Sequence, residues 1–440
     1  MSGLLHGFDL GRMFAHPGFR TTPFTPENLA RHQQSHLTRL LHHAQTQVPF
    51  FRDAFARAGI DPASIQCSED FQRVPIFSRR DCQQVDATDR IAQNANPRWL
   101  LDRSTSGSTG ERLTVKRTWF EERLLNAFRW RAWREFGLRT SDRLAILYFH
   151  RAQDPSDNQF LQRLAARLGL CRQQVFDAVG DPGMARATLD FRPQAIAGMS
   201  SAIALLADQW AKQGIHIPLR FVATGGELLT EPLRARISTL GAPILDLYGA
   251  NELNLLASRC PAGADTYHVC DDAHRIEVLR PDNTPAAPGE SGEVVATSLF
   301  SYAMPFIRYR IGDLAVRGPD RCPCGAPFST LLSVQGRTID RFPLGHDAWL
   351  HPWEIINAIR PQFRWIRQVQ LVQSARRLLV LRIVALQPPT GQELNLLETA
   401  ATSAVGNRAR ISIELTHHIE PSPSGKPIPF VALPLTSPHA

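Results

Sequence analysis

Five short runs in this chain carry side chains suited to phosphate, ribose and metal. In Ser104-Thr105-Ser106-Gly107-Ser108-Thr109-Gly110, glycine lets backbone N–H groups turn inward and the hydroxyls add donors, the composition of a phosphate-wrapping loop. No Gly-Lys-Ser/Thr follows, so it is not a Walker A loop, and taken alone it reads more readily as an ordinary Ser/Gly loop. Tyr248-Gly249-Ala250-Asn251-Glu252 directly follows the strand-like PILDL; a carboxylate just past a strand end can hold Mg²⁺ on phosphate oxygens, and the ring can stack on a base. In Arg308-Tyr309-Arg310-Ile311-Gly312-Asp313 the terminal Asp suits a ribose diol. Gly336-Arg337-Thr338-Ile339-Asp340 and Ser424-Gly425-Lys426 complete the set. Each has a bland counterpart, such as a turn with a surface Glu or an exposed tail Lys.

Cysteine supplies a second kind of chemistry. Cys260, His268, Cys270, Cys322 and Cys324 lie in one stretch, and Cys-Pro-Cys-Gly at 322–325 reads as a tight thiolate knuckle. Three Cys and one His make a closed tetrahedral zinc site, with unpaired core thiols as the alternative. The seven Cys are an odd number, which argues against a disulfide framework. Of the 49 basic residues only Lys116, Lys212 and Lys426 are lysines, so a retained Lys can mark a place that needs a compact ammonium. For Lys212, in a helical surface pattern, chance is the better account.

These residues need elements to position them. In ENLARHQQSHLTRLLHHAQ the apolar residues Leu29, Leu37, Leu40, Leu41 and Ala44 recur at helical spacing; Pro49 ends that helix and FFRDAFARAG starts another. After the Ser/Thr/Gly loop come a short strand, LTVKRT, and a helix with Phe120, Leu124, Phe128, Ala132 and Phe136 on one face. LAILYF, AIAGM, FVATGG and PILDLYG then alternate with the helical FLQRLAARLGL, SAIALLADQWAKQG and EPLRARISTLG, which predicts an α/β domain with a mostly parallel sheet core. Strand patterns such as RIEVLR and GEVVATSL dominate from about Cys260 to Arg317. A last region has a helix (PWEIINAI), strands (VQLVQ, LLVLRIVAL), a further helix and a Pro-rich tail. The main boundary is placed near Gly336, giving domains of 1–335 and 336–440.

The order and spacing of the motifs resemble the adenylate-forming superfamily of acyl-CoA synthetases and nonribosomal adenylation domains, in particular its phenylacetate–CoA ligase branch. Further shared features are Val48-Pro49-Phe50-Phe51-Arg52, Pro75-Ile76-Phe77-Ser78, the Pro193 to Gly198 strand and the Gly225-Gly226-Glu227 turn. The resemblance spans nearly the whole chain. It implies a large N-terminal α/β domain and a small, mobile C-terminal α+β domain. It also implies roles: residues 104–110 cradle the β- and γ-phosphates, and Gly225, Gly226, Glu227, Tyr248 and Gly249 line the nucleotide. Asn251 donates to phosphate, Glu252 holds Mg²⁺, Asp313 takes the ribose diol, and Arg337 the ribose or phosphate. Lys426 reaches the substrate carboxylate and α-phosphate. Relatives of the branch resemble this chain at Cys260, His268, Cys322 and Cys324, which makes those four the zinc ligands and Cys270 a bystander.

Three departures stand out. Asn251 replaces the usual Thr, Glu111-Arg112 replaces a Lys after the loop, and Ile339 occupies a hinge position that is commonly Asp. The implied reaction is carboxylate plus ATP giving acyl-AMP and pyrophosphate. An aryl or arylacetic acid is the expected substrate. CoA is the expected acceptor, with the phosphopantetheine of an acyl carrier protein and an amine as alternatives. The rivals from other classes are a nucleotide-binding protein that has lost catalysis and a zinc-dependent nucleic-acid binder. Glu252, Asp313 and Lys426 argue against the first and the lack of a basic, aromatic-studded face against the second.

The net charge of +8 comes from scattered residues. Its densest patches (Arg112, Lys116 and Arg117; Arg129, Arg131 and Arg134) read as solvated faces and no nucleic-acid partner is expected, though the excess suits an anionic substrate. The sequence has no apolar run of roughly 18 residues and no secretory signal pattern, so no membrane association and a cytoplasmic location are expected. The protein is expected as a monomer or homodimer.

Overall fold

The computed structural model describes residues 24–104, 113–148, 172–178, 183–337, 342–345, 349–350 and 366–419, with 355, 359, 363, 365, 430 and 431. The chain forms two compact units whose main boundary falls between Gln335 and Gly336. Among the described residues no helix is long and apolar enough to cross a membrane.

The first unit opens with α1 (Pro26–Gln47) and α2 (Pro49–Arg57). Thr25 caps α1, with Asn28 bonding back to the cap backbone, and Pro26 sits at the first helical position. Leu29, Leu37, Leu40, Leu41 and Ala44 of α1 are all buried, as their spacing predicts. The pair packs on residues far along the chain: Leu37, Phe51 and Phe55 share one core with Leu255, Cys270, Leu299, Phe300 and Ile307. Side chains of α1 fix the docking. The Gln33 amide donates to the carbonyls of Asp271 and His274, each at 3.1 Å, and His43 Nε2 lies 2.9 Å from the Tyr302 carbonyl. The short helices α3 (Ser68–Phe71) and α4 (Arg79–Gln83) follow, the second just after β1 (Phe77–Ser78). Next come the hairpin of β2 (Leu100–Ser104) and β3 (Thr114–Thr118) and the helix α5 (Trp119–Glu135).

The basic patches expected on solvated faces turn partly inward. Arg117 is buried and donates to Glu122 at 3.0 Å and to the Asn251 carbonyl at 2.6 Å. Arg129 of α5 donates to Asn254 Oδ1 at 2.7 Å, and Arg131 makes a two-pronged pair with the fully buried Asp272. Arg134 alone of that helical trio is exposed. A guanidinium's fork suits such fixed pairs, and helical spacing alone does not report that a carboxylate waits in another element.

A twelve-stranded sheet forms the centre. Its parallel half holds β4 (Arg143–Tyr148), β5 (Arg172–Asp177), β6 (Ala195–Met199), β7 (Phe221–Gly225) and β8 (Ile244–Ala250), in the order β5-β4-β6-β7-β8. The helices α6 (Met184–Phe191), α7 (Ser200–Lys212) and α8 (Glu231–Ser238) connect them. Past β8 the strands run antiparallel: β9 (Asn254–Arg259), β10 (Tyr267–Val269), β11 (His274–Leu279), β12 (Ser291–Ser298) and β13 (Tyr309–Arg317), with β14 (Thr330–Arg337) lying between β13 and β10. The parallel core is thus confined to five strands, and the remainder matches the strand-rich stretch expected after Cys260. β1 pairs parallel with the start of β13.

Gly198 pairs with Leu147 across β4 and β6 at φ +147°, and a Cβ there would overlap the Leu147 carbonyl. Gly198→Ala is expected to cost about 3 kcal/mol or more, through both the backbone region and the clash in a rigid parallel ladder. The denaturation midpoint of the purified variant measures it.

The second unit places β17 (Ile366–Ala375) and β18 (Leu378–Ala385) in a hairpin with β19 (Arg410–Leu415) and β20 (Phe430–Val431) at its edges; the two-stranded β15 (Phe342–Pro343) and β16 (Trp349–Leu350) precede them. The helix α9 (Gly391–Val405) shares a core of Leu371, Leu381, Leu397 and Ala401 with the sheet. This is a small α+β unit, as the alternation of patterns predicts.

Candidate active site and a cysteine–histidine cluster

The ends of β7 and β8 bring the predicted nucleotide residues together. Gly225 closes β7, and Gly226 follows at φ +78°. The Glu227 carboxylate turns to the start of α7, accepting from the Ser201 N–H at 2.5 Å and its hydroxyl at 2.6 Å. A carboxylate on the free N–H groups of a helix start stabilises the turn, so this side chain acts on the frame of the site.

Tyr248 and Gly249 lie in β8. A Cβ on Gly249 would run into the Asn254 carbonyl, so only glycine lets β8 and β9 approach here. Tyr248 is buried and its hydroxyl donates to Asp313 Oδ2 in β13 at 2.9 Å. In hydrogen-bonded order β13 is four strands from β8. A flat sheet would separate them by about 19 Å, more than a Tyr and an Asp can span. The antiparallel half therefore curls back on itself. That curl sets the expected ribose carboxylate beside the expected adenine ring.

Glu252 sits just beyond β8, only 3% exposed. Its Oε1 accepts from Arg79 at 2.7 Å and from the Tyr309 hydroxyl at 3.1 Å. Arg79 begins α4 and Tyr309 begins β13, so the β1–β13 pairing delivers both partners. Burial works against the charge on Arg79, but the adjacent Glu252 carboxylate outweighs it and holds the guanidinium above its usual range. Burial, reinforced by Glu252, pushes the Tyr309 phenol well above its ordinary value, which keeps it a donor. A carboxylate already held by one cation and one hydroxyl is fixed in position and can offer its remaining lone pairs to a metal ion that also binds phosphate.

Sequence reasoning missed Arg79 and Arg117 as partners of this region. It missed too the buried triad in which Asp246 of β8 accepts from Thr224 of β7 at 2.7 Å and from the Tyr267 hydroxyl at 2.5 Å. The place of Asp246 in β8, two residues before Tyr248 on the same face, was the available signal. Asn251 is exposed and gives its carbonyl to Arg117. Ser104 ends β2 and Arg337 ends β14. Thr105, Ser106, Gly107, Ser108, Thr109, Gly110, Ile339 and Lys426 lie outside the described residues.

The second constellation is built from the β9–β10 hairpin and the β13–β14 loop. Cys260 follows β9, His268 lies in β10, and Cys322 and Cys324 lie in the loop. Their four donor atoms all lie within 4.8 Å of one another. Cys260 Sγ and Cys322 Sγ are 3.7 Å apart, and Cys324 Sγ and His268 Nε2 3.4 Å. The edges of a tetrahedron with ordinary zinc–sulfur and zinc–nitrogen bonds are about 3.8 and about 3.6 Å, so the donor set fits that ion. Burial, with Arg131 nearby, lowers the His268 pKa and keeps the imidazole neutral, the form that ligates. Cys270 lies outside the set, and burial pushes its thiol up to about 12.

No family model matches the chain. Its sequence is similar to the phenylacetate–coenzyme A ligase of Thermus thermophilus, 27% identical over 337 residues and 74% of each chain. It is similar also to the enzyme of that name from Pseudomonas putida, 29% identical over 323 residues and 71% of each chain. Among solved structures, a 2-hydroxyisobutyryl-CoA ligase in its postadenylation state aligns with a TM-score of 0.69 at 21% identity, covering 91% of this chain and 89% of that one. An anthranilate CoA ligase in complex with anthranoyl-AMP aligns at 0.52 with 17% identity, over 76% and 66%. The sequence matches to phenylacetate–coenzyme A ligases, with a fold shared with acyl-CoA ligases, support an adenylate-forming reading of this chain, on the phenylacetate–CoA ligase-like branch.

Proposed function

We propose that the protein activates a carboxylic acid as an acyl-adenylate, with release of pyrophosphate, and then transfers the acyl group to a thiol, CoA before a carrier-protein phosphopantetheine. The observation that carries this reading is the pairing of two carboxylates with the end of β8: Asp313 against the Tyr248 hydroxyl, and Glu252 held by Arg79 and Tyr309. Gly225, at the end of β7, abuts Leu247 of β8, the residue before Tyr248, and in α/β sheets a strand-end crevice takes nucleotides. The relatives named phenylacetate–coenzyme A ligase support an aryl or arylacetic acid as the substrate class.

In this reading Tyr248 stacks on adenine, Asp313 accepts the ribose hydroxyls, and residues 104–110 wrap the leaving phosphates. Glu252 and its Arg79–Tyr309 support would hold Mg²⁺, which supplies charge neutralisation at the phosphate oxygens. This reading assigns Arg337 to the ribose or phosphate and Lys426 to the substrate carboxylate and α-phosphate. Cys260, His268, Cys322 and Cys324 would hold a structural zinc; a four-ligand set leaves no open position, so its work is to tie the β9–β10 hairpin to the β13–β14 loop.

The test is product analysis over a panel of aryl, fatty and amino acids with ATP. Pyrophosphate and AMP are expected, with an aryl acid among the best substrates. ADP and phosphate as products overturn the reading, because the loop residues would then not be serving a β,γ-leaving group.

A further inference from the structure

A small cavity lies behind the Glu252 site, walled by Phe50, Phe51, Phe77, Phe306 and Tyr309, and one charged group enters it, Arg90. The Arg90 residue is 9% exposed, and among the described residues neither its Nε nor its Nη1 has a hydrogen-bond partner. Among the described residues the cavity wall contains no Asp or Glu. Cys82, the other polarisable group in the wall, cannot supply the missing charge: burial pushes its thiol up to about 11, so it stays protonated. A guanidinium cannot shed its proton, and leaving two of its donor groups buried and unpaired is unfavourable.

The cavity volume is about 10 Å³, enough for one species close to water in size. Sulfate, phosphate and carboxylates are too large for it. Water would satisfy hydrogen bonds but not charge. Aromatic edges carry partial positive charge and favour an anion over a cation. We propose that this cavity is a binding site for a small monovalent anion of the chloride class, held by Arg90 Nε and Nη1 inside the phenylalanine box. The site stands on Arg90 and the cavity alone and does not depend on the ligase reading. Tyr309 connects the two, since it lines the cavity and donates to Glu252.

The test uses the full chain. Thermal unfolding is followed while sodium gluconate is exchanged for sodium chloride or bromide at constant ionic strength, with sulfate as a control. A saturable rise in Tm of about 2–4 °C is expected for the halides alone, and Arg90→Met should abolish it. Crystals grown in bromide should show an anomalous peak at bonding distance from the Arg90 guanidinium, a readout that stands even where the variant fails to fold. A water without anomalous signal at that place, or an equal response to sulfate and gluconate, overturns the proposal.

Discussion

Lys426→Ala slows adenylate formation about a hundredfold to a thousandfold, the usual cost of removing one preorganised charge from a place where negative charge builds up. In the proposed reaction that place lies between the incoming carboxylate and the α-phosphate, where a point-like ammonium can bridge two oxygens. Lys426→Arg restores only part of the rate, because a planar fork is larger and presents its donors in fixed directions. The thiol half-reaction expels AMP from a finished adenylate and makes no such demand. Synthetic acyl-AMP given to Lys426→Ala therefore yields thioester at a rate close to wild type. Pyrophosphate exchange and thioester formation, measured on the same preparation, decide it; unimpaired exchange would make Lys426 an ordinary residue of the tail.

Removal of zinc has the second large effect. Protein purified without chelator is expected to hold one zinc per chain, and stripping it, or Cys322→Ser, should shift the protein toward unfolding at ordinary temperature. Ligation of a structural zinc is worth about 10–16 kcal/mol in small domains, as much as the whole stability of an ordinary domain. Here the ion would close a long loop, since Cys260 and Cys322 stand 62 positions apart. Cys270→Ser is the control, with metal content unchanged because Cys270 stands outside the donor set. Metal analysis well below one zinc per chain sinks the assignment.

What could be read from the sequence divides along a physical line. Local periodicity is visible: the buried face of α1, the strands β4, β6, β7 and β8, and the motif residues at their ends all follow from spacing and turn chemistry. The edge strand β5 escaped because Gln173, Gln174 and Val175 are exposed and leave no apolar run. Partnerships across the fold escaped for another reason. Arg79 stands 173 positions before Glu252, and Arg117 134 before Asn251, with nothing between to announce the contact. Hence the inward turn of Arg117, Arg129 and Arg131 contradicts a reading of them as solvated faces. The choice of Cys260, His268, Cys322 and Cys324 over Cys270 came from resemblance; spacing alone did not separate them.

The docking of α1 and α2 also bears on how the protein is made. Their apolar partners Leu255, Cys270, Leu299, Phe300 and Ile307 are synthesised late. A ribosome adding about 5–20 residues per second needs about 12–50 s to pass from the end of α2 to Ile307. Throughout that interval Phe50, Phe51 and Phe55 have only the nearby part of their native surface, such as Leu37, Leu40 and Phe71, to cover them. The nascent α1–α2 pair therefore completes its native burial only when the late strands arrive, which makes it a segment suited to a holding chaperone.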